Sequence, residues 1–405
     1  MDGFSTRAIR AASRSPRVDQ RPTSVPIYQA VTFSSETTDE LADVTNRRLP
    51  GYSYSRIANP TAEALGSAIA ELEGAEAGFA AASGMAAVHL ALLALVRAGD
   101  RIVCTRAVYG TTRALLTGTL ARLGVTTDFV DPTNLRSVEA ALAEAPARVL
   151  YLETISNPTL VVADVAALAE IGHRHGAAVV VDNTFATPYL CRPLELGADL
   201  VVESATKYIA GHSDVLAGAV AGREAAIDAV REAQVQTGAT IAPFSAFLVL
   251  RGIATLAVRM DRHSATAAAL AAWLTTERGV ARVLYPGLPS HPDHAVAARQ
   301  LASGGGMLAV ELSGGATAGR AFIDALRIPE RTASLGSIHT IVVHPPSTTH
   351  RQLDPAQLLE AGIAPGLVRI SVGLEDLEDL RSDFARGLAA ARAAVGEDGP
   401  APGGW

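Results

Sequence analysis

LVVESATKYIAGHSD, residues 200–214, sets a lysine directly behind an apolar run. The stretch from Asp199 through Leu200, Val201 and Val202 reads as a strand entering a core. An unpaired ammonium at a buried strand end is costly to desolvate. Lys207, flanked by Ser204, Thr206 and Tyr208, therefore either snorkels to water or is wanted there with a lowered pKa.

Working outward, the same texture recurs upstream. AGFAAAS runs into GMAAVHLALLALV, DRIVCT is followed by TRALLTGTLARLG, and VTTDFVD by LRSVEAALAEA. RVLYLE then precedes DVAALAEIGHRHG, AAVVVDNT follows, and DLVVESAT closes the series. Strands of Val, Ile and Leu separated by helices predict a parallel sheet covered on both faces. Ahead of them TAEALGSAIAELEGAE carries a helical stripe at Leu65, Ile69 and Leu72. Residues 1–60, rich in Pro, Ser, Thr and Arg, read as an extended arm with short turns, ending at YSYSRIANP.

Downstream, FSAFLVLRGIATLAVRMDRHSATAAALAAWL predicts a long helix or helix pair able to link two domains. GMLAVELSG, TIVVHP and LVRISVG predict a smaller sheet, with helices over 317–326 and 376–395. The expected division is an arm (1–60), a large domain (61–250), a small domain (251–395) and a flexible tail (396–405).

Composition narrows the function. The chain has 405 residues, 49% hydrophobic and 19% charged, and a formal net charge of −7 with no basic block. A nucleic-acid partner is not expected. Cys104 and Cys191 are the only cysteines and form no CxxC, which suits a reducing compartment. The opening MDGFSTRAIRAASRSPR lacks a signal-peptide core, and MAAVHLALLALV is too short to span a bilayer. A cytoplasmic enzyme without membrane association is the expectation.

In open α/β sheets ligands sit beyond the carboxyl ends of the strands. The polar residues there are Ser83, Gly84 and Met85; Tyr109; Glu153 and Asn157; Asp182 with Asn183; and Ser204, Thr206 and Lys207. Singly they have plain readings: Ser83 as an N-cap, Asp182 as a turn cap, Asn157–Pro158 as a turn starter. Together they compose a site. A helix opening at Ser83–Gly84 is an anion seat, to which Ser204 and Thr206 add hydroxyls. Asp182 can hold a protonated ring nitrogen, and a desolvated Lys207 can form a Schiff base. These three contributions suit pyridoxal phosphate. GxGxxG, GxxxxGK[ST] and HExxH are absent from the chain, so a dinucleotide, a nucleoside triphosphate or a catalytic metal is not expected.

Here the chain resembles the Cys/Met-metabolism pyridoxal phosphate enzymes: cystathionine γ-synthase, cystathionine γ-lyase, methionine γ-lyase and the O-acylhomoserine sulfhydrylases. The resemblance runs from TRAI to RISVGLED through VPIYQAVTF, YSRIANPT, ASGMAA, YLETISNPT, VVDNTFATP, ESATKYIAGHSDVLAG, RMDRH, SLG and HPPSTTH. It implies an α/β architecture of the aspartate-aminotransferase type (fold type I), usually a homotetramer of two tight dimers. It also implies roles. Lys207 would hold the cofactor and move protons, and Asp182 would pair with the ring nitrogen. Ser83, Gly84, Met85, Ser204 and Thr206 would surround the phosphate, joined from the neighbouring subunit by Tyr54 and Arg56. Tyr109 would stack on the ring and act at the departing group. Asn157 would meet the phenolic oxygen, with Glu153 supporting that corner of the substrate site. Arg369 would bind the substrate carboxylate, with Ser334 assisting.

The reaction implied is loss or exchange of a γ-substituent after Cα and Cβ deprotonation. Ala333 stands before SLG where cystathionine-handling members often carry glutamate, and Thr111 follows Tyr109–Gly110 where typical methionine γ-lyases place cysteine. The leading expectation is γ-replacement on an O-acylated homoserine with sulfide or a small thiol. The alternatives are a γ-lyase of the methionine or cystathionine type, cystathionine γ-synthase, an aminotransferase, and a non-catalytic binding protein.

Overall fold

The computed structural model describes residues 2–13, 22–351 and 354–396; the tail expected to be flexible lies, but for Gly396, outside them. The larger sheet has seven strands: β1 (Ala77–Ala81), β2 (Arg101–Thr105), β3 (Thr126–Val130), β4 (Val149–Glu153), β5 (Ala178–Asp182), β6 (Leu200–Glu203) and β7 (Gly218–Gly222). Their order is β1-β7-β6-β5-β4-β2-β3. β6, β5, β4, β2 and β3 run parallel, whereas β7 is antiparallel to both its neighbours. The parallel core follows from its composition, since Val179–Val181 and Leu200–Val202 are apolar on both faces and all buried. β7 is the antiparallel strand of the expected mostly parallel sheet. Its sequence, GAVAG, has one β-branched residue, and small side chains let it lie buried between β1 and β6.

Four helices set the frame. α1 (Phe4–Ser13) and α2 (Thr38–Thr45) fall inside the stretch read as an extended arm. α1 corrects that reading: Ala8, Ala11 and Ala12 are buried in one cluster with Leu65 and Ile69, so packing makes the helix. α3 (Pro60–Glu73) opens with the Asn59 side chain accepting from the Thr61 N–H and ends at Gly74 in the left-handed conformation. α4 (Gly84–Leu95) opens at Ser83, whose hydroxyl accepts from the Ala86 N–H at 3.1 Å.

Helices Pro243–Ile253 and Leu256–Leu274, bent by 60° at their break, are the expected helix pair. Among the described residues no single helix is long and apolar enough to cross a membrane. Beyond the pair lies a second sheet of β8 (Val280–Leu284), β9 (Met307–Leu312), β10 (Glu330–Arg331), β11 (Ile341–Val343) and β12 (Leu367–Ser371), ordered β10-β11-β12-β9-β8. Helices Gly315–Ala325 and Leu377–Val395 pack together on this sheet through Phe322 and Phe384, 5.7 Å between ring centroids.

Candidate active site

The ends of β4, β5 and β6, the start of α4 and the loop before β12 enclose a cavity of about 650 Å³. Ser83, Gly84, Met85, Tyr109, Glu153, Asn157, Asp182, Ser204, Thr206, Lys207, Ser334 and Arg369 all line it. Tyr54 and Arg56 do not. The Arg56 guanidinium carbon lies 5.4 Å from the Tyr54 ring centroid, and its Nη1 donates to the Val235 carbonyl on the protein exterior.

Lys207 is the centre of the arrangement. Its Nζ donates to Ser334 Oγ at 2.9 Å. Burial, and then the neighbouring Arg369 charge, lower its pKa to about 8. The free amine is thus within reach near neutral pH. Arg369 is buried; its Nη1 donates to Asn157 Oδ1 at 2.8 Å and its Nη2 to the Ser334 carbonyl at 2.6 Å. One guanidinium therefore touches the lysine's partner and the loop after β4 at once.

Asp182 ends β5. Its Oδ1 accepts from the Thr184 N–H at 3.0 Å, and Tyr151 Oη approaches Oδ2 at 3.4 Å. Burial raises its pKa, with those hydrogen bonds opposing. Among the described residues no cation pairs with it, so a protonated ring nitrogen would complete its charge balance. Glu153 is raised still further, by burial and then by Asp182. Its Oε1 accepts from the Tyr109 N–H at 2.5 Å, fixing where the exposed Tyr109 side chain starts.

The anion seat is built by close approach. A Cβ on Gly84 would fall 2.6 Å from Ser204 Cβ, so only glycine lets the α4 start meet the β6 end. With Ser83 capping Ala86, the N–H groups of Gly84 and Met85 keep no intrahelical acceptor. Thr206 is partly spent: its hydroxyl donates to the Ala217 carbonyl and accepts the Ala217 N–H. These parts fit pyridoxal phosphate: an amine biased toward its free base, an acid lacking a cation, and amides converging where a side chain would not fit.

The match to a family model decides the matter: the Cys/Met metabolism PLP-dependent enzyme model covers residues 5–389. The chain belongs to that family. It is 45% identical over 392 residues to an L-methionine gamma-lyase of Pseudomonas putida, covering 96% of this chain and 98% of that one. An O-succinylhomoserine sulfhydrylase of Pseudomonas aeruginosa is 41% identical, covering 96% and 95%. Among solved structures, a cystathionine gamma synthase from Xanthomonas oryzae pv. oryzae in complex with aminoacrylate and cysteine superposes with a TM-score of 0.92 at 38% identity, covering 97% of this chain and all of that one. The protein is thus a PLP-dependent enzyme of sulfur amino-acid metabolism with the fold of this family.

Sequence reasoning missed several wall residues. Thr184 anchors both Asp182 and, through its hydroxyl, the Ser204 N–H at 2.8 Å; the DNT triplet, which suits an Asx-type turn, was the signal. Thr349 and His350 also line the cavity. Burial and Arg369 push the His350 pKa down to about 4, leaving the ring neutral.

Proposed function

We propose that this enzyme exchanges the γ-substituent of an O-acylated homoserine for sulfide or a small thiol. The observation carrying this reading is the cavity's charge distribution. Apart from Lys207, Arg369, Glu153 and Asp182, its wall holds no carboxyl or cationic side chain among the described residues, His350 being neutral; Thr111, Leu216 and Ala333 are among the rest. With Asp182 and Glu153 assigned to the cofactor ring, such a wall offers no further carboxyl to a distal ammonium and suits an uncharged γ-group.

When bound, pyridoxal phosphate supplies an electron sink for the charge left as Cα loses its proton. In this reading Lys207 carries the cofactor covalently at rest, then as a free amine takes the Cα proton and serves at Cβ. Asp182 keeps the ring nitrogen protonated. Gly84, Met85, Ser204 and Thr206 hold the phosphate, with Ser83 capping the helix they open. Arg369 binds the α-carboxylate as a fork, Ser334 holds the lysine, and Asn157 and Glu153 orient the ring edge. Tyr109, stacked on the ring, protonates the departing group.

Among the described residues the proposed phosphate seat has no cationic side chain of its own, which supports Arg56 and Tyr54 of a second copy completing it. The reading accordingly includes a homotetramer built of dimers, a cofactor-bearing domain over 61–250 and a smaller one over 251–395. Buried, unpaired Cys104 and Cys191 agree with a cytoplasmic setting.

A second reading is γ-elimination from methionine, favoured by the 45% identity to a methionine gamma-lyase; the same wall beyond the ring-binding groups admits a methyl thioether. The test is a product assay with O-acetylhomoserine, O-succinylhomoserine, cystathionine and methionine, each with and without sulfide. Homocysteine formed from an acylhomoserine only with sulfide supports the proposal and names the donor. Rapid 2-oxobutanoate from methionine or cystathionine without added thiol overturns it in favour of a lyase.

A further inference from the structure

Directly behind the cavity lies a polar layer with no part in the chemistry above. Glu73, at the end of α3, and Glu203, at the end of β6, are 0% and 1% exposed. Both carboxyls flank Asn183, which bonds to Glu73 and follows Asp182, the β5 partner of the Val202 that precedes Glu203. The Asn183 amide donates to Glu73 Oε1 at 3.2 Å and to the Cys191 carbonyl at 2.9 Å, and its Oδ1 accepts from the Thr154 hydroxyl at 2.8 Å. Glu73 Oε2 and both Glu203 oxygens are buried without any hydrogen-bond donor.

Two neighbouring buried carboxylates without donors cannot satisfy each other unless a proton is kept between them, because each offers only lone pairs. Burial and mutual repulsion both favour keeping one. The facing groups do not replace it. Arg192 is the cation acting on Glu73, Glu195 opposes it, the Cys191 thiol lies alongside, and Asp182 adds negative charge at Glu203.

The placement links this pair to the cofactor seat. Glu203 immediately precedes Ser204, whose N–H is held by Thr184. Asn183, bonded to Glu73, immediately follows Asp182. The layer therefore ties α3 to the two strand ends that carry the phosphate hydroxyl and the ring-nitrogen acid.

We propose that Glu73 and Glu203 share a single proton and act as a positioning pair for the cofactor seat, locking the ends of β5 and β6 against α3. Losing that proton places a second charge between α3 and β6 and loosens both ends. The proposal rests on the family's cofactor and not on the γ-substituent, so the product assay does not bear on it.

The test measures pyridoxal 5'-phosphate affinity of the apo-protein and its Tm from pH 6 to 9. The proteins are wild type, Glu203→Gln and Glu203→Leu. Glutamine keeps a donor toward Glu73 with no proton to lose. The wild-type Kd divided by the Glu203→Gln Kd is expected to rise about tenfold between pH 7 and 9. The wild-type Tm falls relative to that variant over the same range. Glu203→Leu is expected to bind at least about tenfold more weakly than Glu203→Gln at pH 7, since it leaves Glu73 alone in the layer. A Kd ratio constant from pH 6 to 9, or Glu203→Leu binding as tightly as wild type, overturns the proposal. Should Glu203→Gln not fold, Glu73→Gln carries the same expectations.

Discussion

Arg369 and Asn157, 212 residues apart in the chain, meet at 2.8 Å in the wall of the cavity. The contact joins the last strand of the second sheet to the loop after β4 in the first. An incoming carboxylate would therefore engage a guanidinium already oriented by both sheets. Arg369→Lys keeps the charge and loses the fork. It is expected to lower kcat/KM by about a hundredfold, roughly 3 kcal/mol, mainly through KM, with cofactor content unchanged. Steady-state kinetics beside an absorbance spectrum check this.

Lys207→Ala is expected to abolish the visible band of the lysine-bound cofactor and to cut turnover by about 10³-fold or more. Urea denaturation of the apo-protein should show stability equal to or above wild type, because the variant removes a partly desolvated amine.

The pH dependence has a definite sign. Burial and Arg369 depress the Lys207 pKa to about 8, so the free amine grows as pH rises through that value. Cofactor capture by the apo-protein is expected to quicken with pH and level off above about 8. Arg369→Leu removes the nearby charge and moves that limb upward. Because the folded pKa lies below the unfolded one, this group costs stability at low pH, and the cost disappears between pH 8 and the ordinary lysine value near 10.4. Stopped-flow absorbance reads the rate and thermal melts read the stability.

Gly84→Ala forces a methyl to within 2.6 Å of Ser204 Cβ. The strand end or the helix start must shift, and the proposed phosphate seat with it. Cofactor Kd is expected to rise at least about tenfold, with a stability loss of about 1–3 kcal/mol. Fluorescence titration with pyridoxal phosphate measures the first and chemical denaturation the second.

If Arg56 serves a neighbour's seat, inactive Arg56→Ala and Lys207→Ala proteins should regain activity on mixing. Each hybrid pair would hold one site with both native residues, up to about a quarter of wild-type activity for freely exchanged dimers. No recovery despite subunit exchange shown by mass spectrometry counts against a shared site.

Much of this was legible in the sequence because the parallel strands are continuous aliphatic runs ending in polar residues. Lys207, Asp182 and Glu153 were found that way, each at or just past a strand end. β7 was missed because a strand of Gly and Ala has no β-branched signature, and its buried place depends on neighbours remote in sequence. α1 was missed because three alanines make an apolar face only when α3 supplies the opposite wall. Glu73 lies in ELEGAE, which reads as a solvated helix end, and its burial beside Glu203 follows only from α3 docking on the sheet. Tyr54 and Arg56 were picked out by motif, yet lie outside the cavity of their own chain.

The Gly84–Ser204 contact also bears on the order in which a growing polypeptide becomes competent. The cavity residues proposed for the anion seat and the lysine lie between residues 83 and 207, whereas Ser334 and Arg369 come much later. Synthesis proceeds from the amino end, and domains fold as units as they emerge. The segment proposed to seat the cofactor is thus translated before the carboxylate fork, while the seat itself would be completed only when a second copy brings its Arg56 and Tyr54.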